Sequence, residues 1–174
     1  MIFLHRKPFT ALIGIFIIFL LLTPVLGEQI PNVDRVVVYK KKRVLQLCRG
    51  DSVLKQYPIA LGKSPEGHKV REGDSRTPEG RYILDWRNPN SKYYLSIHIS
   101  YPNKADKQRA DSLGVNPGGA IMVHGYPTGK SASLWNRYWF LGRDWTDGCI
   151  AVSNEAMDEI WASVKDGTPI DIHP

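Results

Sequence analysis

Two short runs in this chain hold residues whose types and spacing could do covalent chemistry. Val123-His124-Gly125 closes an apolar stretch on a histidine, and Thr146-Asp147-Gly148-Cys149-Ile150 sets a cysteine directly after a glycine. A thiol attacks as its thiolate. With an ordinary pKa near 8.5, only about 3% is ionised at pH 7, so an imidazole that accepts the proton changes its reactivity. Such a pair can catalyse covalent acyl transfer with neither metal nor cofactor. Cys149 is the candidate nucleophile and His124 its candidate base.

Two other uses of these residues compete. Cys48 and Cys149 are the only two cysteines, and in an oxidising compartment a pair of cysteines suggests a disulfide. A Cys48–Cys149 bridge would disable the nucleophile and leave a non-catalytic binding module. A zinc site would need His98, His124 and Cys149 to converge from three separate segments, without the short paired spacings that usually signal one.

The compartment is read from the N-terminus. His5-Arg6-Lys7 precedes a segment uncharged from Pro8 to Gly27, comparable to the roughly 20 residues that cross a bilayer. A basic flank marks the cytoplasmic end, so the rest of the chain is expected to be exported. Residues 1–27 are either a signal peptide cleaved after Gly27 or a retained membrane anchor, and Pro24 just before the cut favours cleavage. Membrane contact is expected only through this segment, and residues 28–174 form one domain. The net charge of +6 is mild and mostly dispersed. Its one dense cluster, Lys40-Lys41-Lys42-Arg43, reads as a solvated hairpin turn, with attraction to an acidic polymer as the functional alternative. Nucleic acid is not expected, since no aromatic–basic platform is present.

The elements that must position the pair are mostly strands. Val33 to Tyr39, Val44 to Cys48 and Ser52 to Leu61 suggest a meander, followed by a long loop to Gly80 with turns at Ser64-Pro65-Glu66-Gly67 and Thr77-Pro78-Glu79-Gly80. Arg81 to Trp86 resumes a strand. Tyr94 to Ser100 alternates, putting Leu95, Ile97 and Ile99 on a core face and His98 on the polar one, where it is a candidate for binding substrate. Asn103 to Leu113 reads as a short helix stopped by Gly114. On the strand Ala120 to His124, Met122 and His124 share a face. Trp135, Tyr138, Trp139, Phe140 and Trp145 between the two motifs form packing or a wall over the thiol. Ser153 or Asn154 caps a last helix buried through Met157, Ile160, Trp161 and Val164, and Thr168 to Ile172 ends the chain as a strand.

His124-Gly125 followed by Thr146-Asp147-Gly148-Cys149-Ile150 resembles the signature of the L,D-transpeptidase catalytic domain (YkuD-like) family: His-Gly, then Ser/Thr-x-Gly-Cys-aliphatic-Arg. Thr77-Pro78-Glu79-Gly80-Arg81 is similar to a second family motif, so the resemblance spans about Val33 to Ile172. It implies a mainly β fold with a few short helices. It also implies attack by Cys149 on a carbonyl of a peptidoglycan stem peptide, with His124 as proton acceptor and then donor. The carbonyl of Gly125 would orient the imidazole, and backbone N–H groups at Gly148 and Cys149 would hold the oxyanion. Gly142 to Val152 and Met157 to Trp161 resemble a murein-processing subgroup that includes amidases releasing a murein-linked lipoprotein. One departure stands out: Ala151 replaces the signature arginine. Arg143 is the expected substitute, with Thr146 and Trp145 as further substrate contacts and the periplasm or cell envelope as the site of action.

Overall fold

A computed structural model of the chain describes residues 30–128, 140 and 142–174. The expected N-terminal export segment, and Trp135, Tyr138 and Trp139, lie outside these residues. The observed fold is mainly β, as expected. Strands β1 (Arg35–Tyr39), β2 (Val44–Arg49) and β3 (Ser52–Pro58) form the antiparallel meander. They are followed by β4 (Gly80–Ser91), β5 (Tyr94–Ile99), helix α1 (Lys104–Ser112), β6 (Met122–His124), β7 (Ile150–Ala151), helix α2 (Asn154–Ser163) and β8 (Thr168–His173). Among the described residues no helix is long and apolar enough to cross a membrane.

All eight strands join one sheet, in the order β3-β2-β1-β8-β4-β5-β6-β7. The last strand therefore inserts between the first and the fourth, parallel to β1 and antiparallel to β4. The two edges of the sheet then meet. Ala60 and Ala151 exchange both backbone hydrogen bonds at 2.9 Å, and Thr146 bonds Leu61 and Lys63 at 3.1 and 3.0 Å. The curled sheet surrounds a core that includes Val36, Val38, Leu45, Leu47, Ile97, Ile99, Val123, Ile150, Ile170 and Ile172. Met157 and Ile160 of α2 are buried in that core. Ser153 caps α2 by accepting from the Ala156 N–H at 3.1 Å; the helix stops at Ser163, short of the expected Gly167.

The basic turn between β1 and β2 is not simply solvated. Lys40 is 2% exposed, and its ammonium bonds the Gly67 carbonyl at 2.6 Å, the Thr77 carbonyl at 3.1 Å and Glu79 at 2.8 Å. Burial lowers its pKa while Glu79 opposes the shift. The reason is hydrogen-bond accounting: loop carbonyls without strand partners need donors, and an ammonium supplies three. Arg43 in the same turn forks onto Asp144 at 2.7–3.1 Å. Asp144 also accepts from the Leu61 N–H at 2.9 Å. Two residues of the expected surface cluster are therefore braces for the loop and for the segment leading to Cys149.

Candidate active site

β6 and β7 run parallel, with Val123 opposite Ile150 and His124 opposite Ala151. Extending that register by one residue sets Cys149 beside Met122, whose N–H points to the Cys149 Sγ at 3.4 Å. Side chains alternate along strands, so Cys149 and His124 are diagonal neighbours on one face of the sheet. Val123 and Ile150, on the opposite face, are fully buried and hold the pair of strands in place.

His124 is 3% exposed, and its Nδ1 lies 2.6 Å from the Gly125 carbonyl oxygen. A carbonyl only accepts, so Nδ1 carries the proton and Nε2 is left with its lone pair. Burial pulls the imidazole pKa down to about 4, and the Gly125 carbonyl opposes the shift. Burial also pushes the Cys149 thiol above its ordinary value, against the Met122 N–H; Asp147 raises it further and Lys69 lowers it. The resting pair is a neutral thiol and a neutral imidazole. Gly125 must be glycine here, because a Cβ would lie 2.6 Å from Asn154 Oδ1 and 2.9 Å from Tyr94 Cβ.

The turn before Cys149 is tied by Thr146. Its buried hydroxyl donates to the Cys149 carbonyl at 2.7 Å and accepts from the Gly148 N–H at 3.2 Å. The Thr146 hydroxyl and the Gly148 N–H are thus bonded to each other within the turn. Gly148 has φ +129°, and a Cβ there would lie 2.6 Å from the Arg76 carbonyl oxygen, so the long loop after β3 presses directly on the turn. That loop is itself braced by Asp74. Burial pushes the Asp74 carboxyl up, but the Lys69 ammonium and the N–H groups of Val70, Arg71 and Arg76 outweigh it and hold the pKa at about 2.

Aromatic rings enclose the imidazole. Trp145 meets His124 edge-on at 5.7 Å, and Phe140 packs on Trp145 at 4.7 Å. The Trp145 indole N–H is buried without an acceptor among the described residues. Tyr93, at the tip of the β4–β5 hairpin, lies 4.7 Å from the imidazole. Neither Tyr93 nor Lys69 stands out in the sequence: one sits in a hairpin tip, the other in a loop, and no periodicity marks either.

The remaining candidates are dispersed. His98 shares the sheet face of His124 but bonds Asp85 at 2.7 Å and stacks on Trp86 at 4.9 Å. Arg143 is exposed, two residues before Trp145. Cys48 and Cys149 are both free thiols, and Cys48 is buried in β2 near Arg35 and Asp34, so the expected alternative of a bridge does not hold. Among the described residues no group of three or more His, Cys, Asp or Glu side chains is gathered to hold a metal. Ala151 is 1% exposed where the two sheet edges meet.

The fold and the paired thiol and imidazole define a class: a curled, mainly β domain whose chemistry-bearing residues stand at the end of one strand and the start of the next. Residues 33–172 match the L,D-transpeptidase catalytic domain (YkuD), and the chain belongs to that family. It is 31% identical over 134 residues to YafK of Escherichia coli K12, named as a candidate L,D-transpeptidase, covering 73% of this chain and 45% of that one. It is 28% identical over 145 residues to a YkuD protein of Bacillus licheniformis, named in the same way, covering 80% of this chain and 66% of that one. The crystal structure of the helical cell shape determining protein Pgp2 from Campylobacter jejuni aligns with a TM-score of 0.59 at 28% identity, covering 84% of this chain and 49% of that one. The chain thus spans less than half of YafK and about half of Pgp2.

Proposed function

We propose that this domain catalyses acyl transfer on peptidoglycan stem peptides in the cell envelope or periplasm, through a Cys149 thioester. The observation that carries this reading is the His124 Nδ1 to Gly125 carbonyl bond of 2.6 Å, which fixes the imidazole tautomer on the sheet face that bears Cys149. Nε2 takes the thiol proton as Sγ attacks the stem carbonyl, and the Gly125 carbonyl stabilises the imidazolium that forms. The Cys149 N–H is the oxyanion donor, since the Gly148 N–H is engaged by Thr146. The imidazolium then gives its proton to the leaving amine, leaving the thioester.

An acceptor amine from a second stem completes transpeptidation, whereas water completes an L,D-amidase or carboxypeptidase reaction. Both outcomes pass through the same acyl-enzyme, and a murein-linked lipoprotein is a second acyl donor of the same chemistry. The reading is tested with purified muropeptides. Cys149→Ala and His124→Ala should each abolish turnover of disaccharide–tetrapeptide, and the wild-type protein should gain the mass of the acyl group on Cys149. Full activity in either variant would overturn the assignment. Product masses with and without an added amine separate transfer from hydrolysis.

A further inference from the structure

A second group of side chains lies on the same sheet face as Cys149 and His124 and takes no part in the chemistry above. The β4–β5 ladder skips a residue between the pairs Leu84–Ile99 and Arg87–Ile97, so Asp85 and Trp86 together oppose His98. Such a bulge re-aims side chains locally. Here it brings the Asp85 carboxylate to 2.7 Å from His98 Nδ1 and lays the Trp86 indole against the His98 ring at 4.9 Å and 17°. His98 in turn pairs with Met122 on β6, the residue whose N–H meets the Cys149 Sγ. The face therefore reads, strand by strand, Cys149, Met122, His98, then Asp85 with Trp86.

Packing does not account for this group. Trp86 is 47% exposed, although a large aromatic is one of the most favourable side chains to bury. The Asp85 side chain is 38% exposed and that of His98 15%. With Nδ1 bonded to Asp85, the ring turns Nε2 outward beside the second carboxylate oxygen. A flat apolar surface flanked by a carboxylate and an imidazole nitrogen matches a pyranose ring, whose C–H face is apolar and whose rim hydroxyls both donate and accept.

The spacing selects the part of the substrate that would reach it. Three strand spacings of about 4.8 Å separate the edge bearing Cys149 from β4, roughly 14 Å in all. A stem segment of three residues spans about 10–11 Å when extended, so for attack at that depth in the stem the first sugar would lie one ring further on. Resting on the stem-peptide reading above, we infer that Trp86, His98 and Asp85 form a saccharide subsite that holds the glycan end of the donor stem.

The test uses the full chain and has two arms. In the first, peptide-free murein disaccharide is titrated while the Trp86 indole and His98 ring signals are followed by NMR. Saturable shifts are expected, lost in Trp86→Ala and weakened in Asp85→Asn. In the second, turnover of disaccharide–tetrapeptide is compared with turnover of the sugar-free tetrapeptide. Trp86→Ala should raise KM about tenfold for the first substrate, as loss of about 1.4 kcal/mol of binding would, and leave the second unchanged. Trp86→Phe should recover part of the loss. No shift of Trp86 with the disaccharide, or an equal effect on both substrates, would overturn the subsite. Absence of turnover with either substrate would instead sink the acyl-transfer reading, and the binding arm would still decide the subsite.

Discussion

The phenol ring of Tyr93 lies 4.7 Å, centroid to centroid, from the His124 imidazole and is tilted 35° to it. The backbone explains how a hairpin tip comes to cover a residue on another strand. Tyr94 has φ 67°, a left-handed conformation rare for a bulky residue. Its side chain turns to the helix α2 side, where its hydroxyl donates to Asp158 at 2.8 Å. Anchoring Tyr94 in this way leaves Tyr93 on the opposite face, over the imidazole. The strain is held by a hydrogen bond and ends at the candidate site.

The first prediction concerns that ring. Tyr93→Ala should open the imidazole to water and shift the thioester toward hydrolysis, with an overall loss of turnover of about tenfold. Tyr93→Phe should stay near wild type, because the covering surface and not the hydroxyl is what the geometry uses. Product ratios measured with a fixed concentration of acceptor amine check both variants. An unchanged ratio in Tyr93→Ala would remove Tyr93 from the account.

The second follows from the buried imidazole. With its pKa pulled down to about 4, His124 keeps its lone pair well below the pH at which an ordinary histidine loses it. The acid limb of kcat/KM should fall near pH 4 and not near 6.5. Stability has the same origin. The folded pKa lies below the unfolded value, so the contribution is complete above about pH 6.5 and is lost as pH falls toward 4, on the order of 3 kcal/mol at most. Denaturant midpoints of wild type and His124→Gln across pH 7 to 4 measure it, and the variant should lack that part of the acid sensitivity.

The third concerns the brace between Arg43 and Asp144. Asp144 holds the Arg43 guanidinium and the Leu61 N–H at once, and the next two residues are Trp145 and Thr146. Asp144→Ala would leave Leu61 without that acceptor and release the start of the cysteine turn. A stability loss of about 1–3 kcal/mol is expected, with a fall in kcat larger than any change in KM. Arg43→Ala should cost less, because the guanidinium is partly solvated and its ion pair screened. Thermal unfolding together with steady-state kinetics separates the two effects.

The ladder of strands was legible from the sequence because alternation reports directly on a curled sheet with a buried face. Val123 marks that face and His124 falls opposite it by parity, whereas Cys149 reads as part of a turn because the strand that follows it has only two residues, Ile150–Ala151. What one-dimensional pattern does not carry is long-range pairing. Nothing near Thr168 announces that β8 lies between β1 and β4, and nothing near Ala60 announces that it closes the sheet on Ala151. The same limit hid the roles of Lys40, Lys69 and Tyr93, each of which acts on residues distant in sequence. Charge in a turn reads as solvated until the loop that covers it is known, and a hydroxyl beside a nucleophile reads as a substrate contact until its own turn is seen to use it.

The last prediction concerns the arginine missing at Ala151. Ala151 is 1% exposed and pairs through its backbone with Ala60 at 2.9 Å, and its methyl group offers no charge to a carboxylate. If the domain acts on stem peptides as proposed, another group would have to meet a stem carboxylate. A cavity of about 620 Å³ lies beside the loop that presses on Gly148, lined by Ser64, Arg71, Asp74, Arg76 and Val115 among others. Asp74 is occupied by Lys69 and by three backbone N–H groups, which leaves Arg71 and Arg76 as the charges that a carboxylate would meet. Arg76→Ala should raise KM for disaccharide–tetrapeptide about tenfold, equivalent to one charge-assisted hydrogen bond, with little change in kcat. Arg143→Ala, at the exposed start of the cysteine turn, is the paired measurement. A rise in KM confined to Arg143→Ala would move the carboxylate from the loop to the turn, and a rise in neither would show that the stem is bound without either guanidinium.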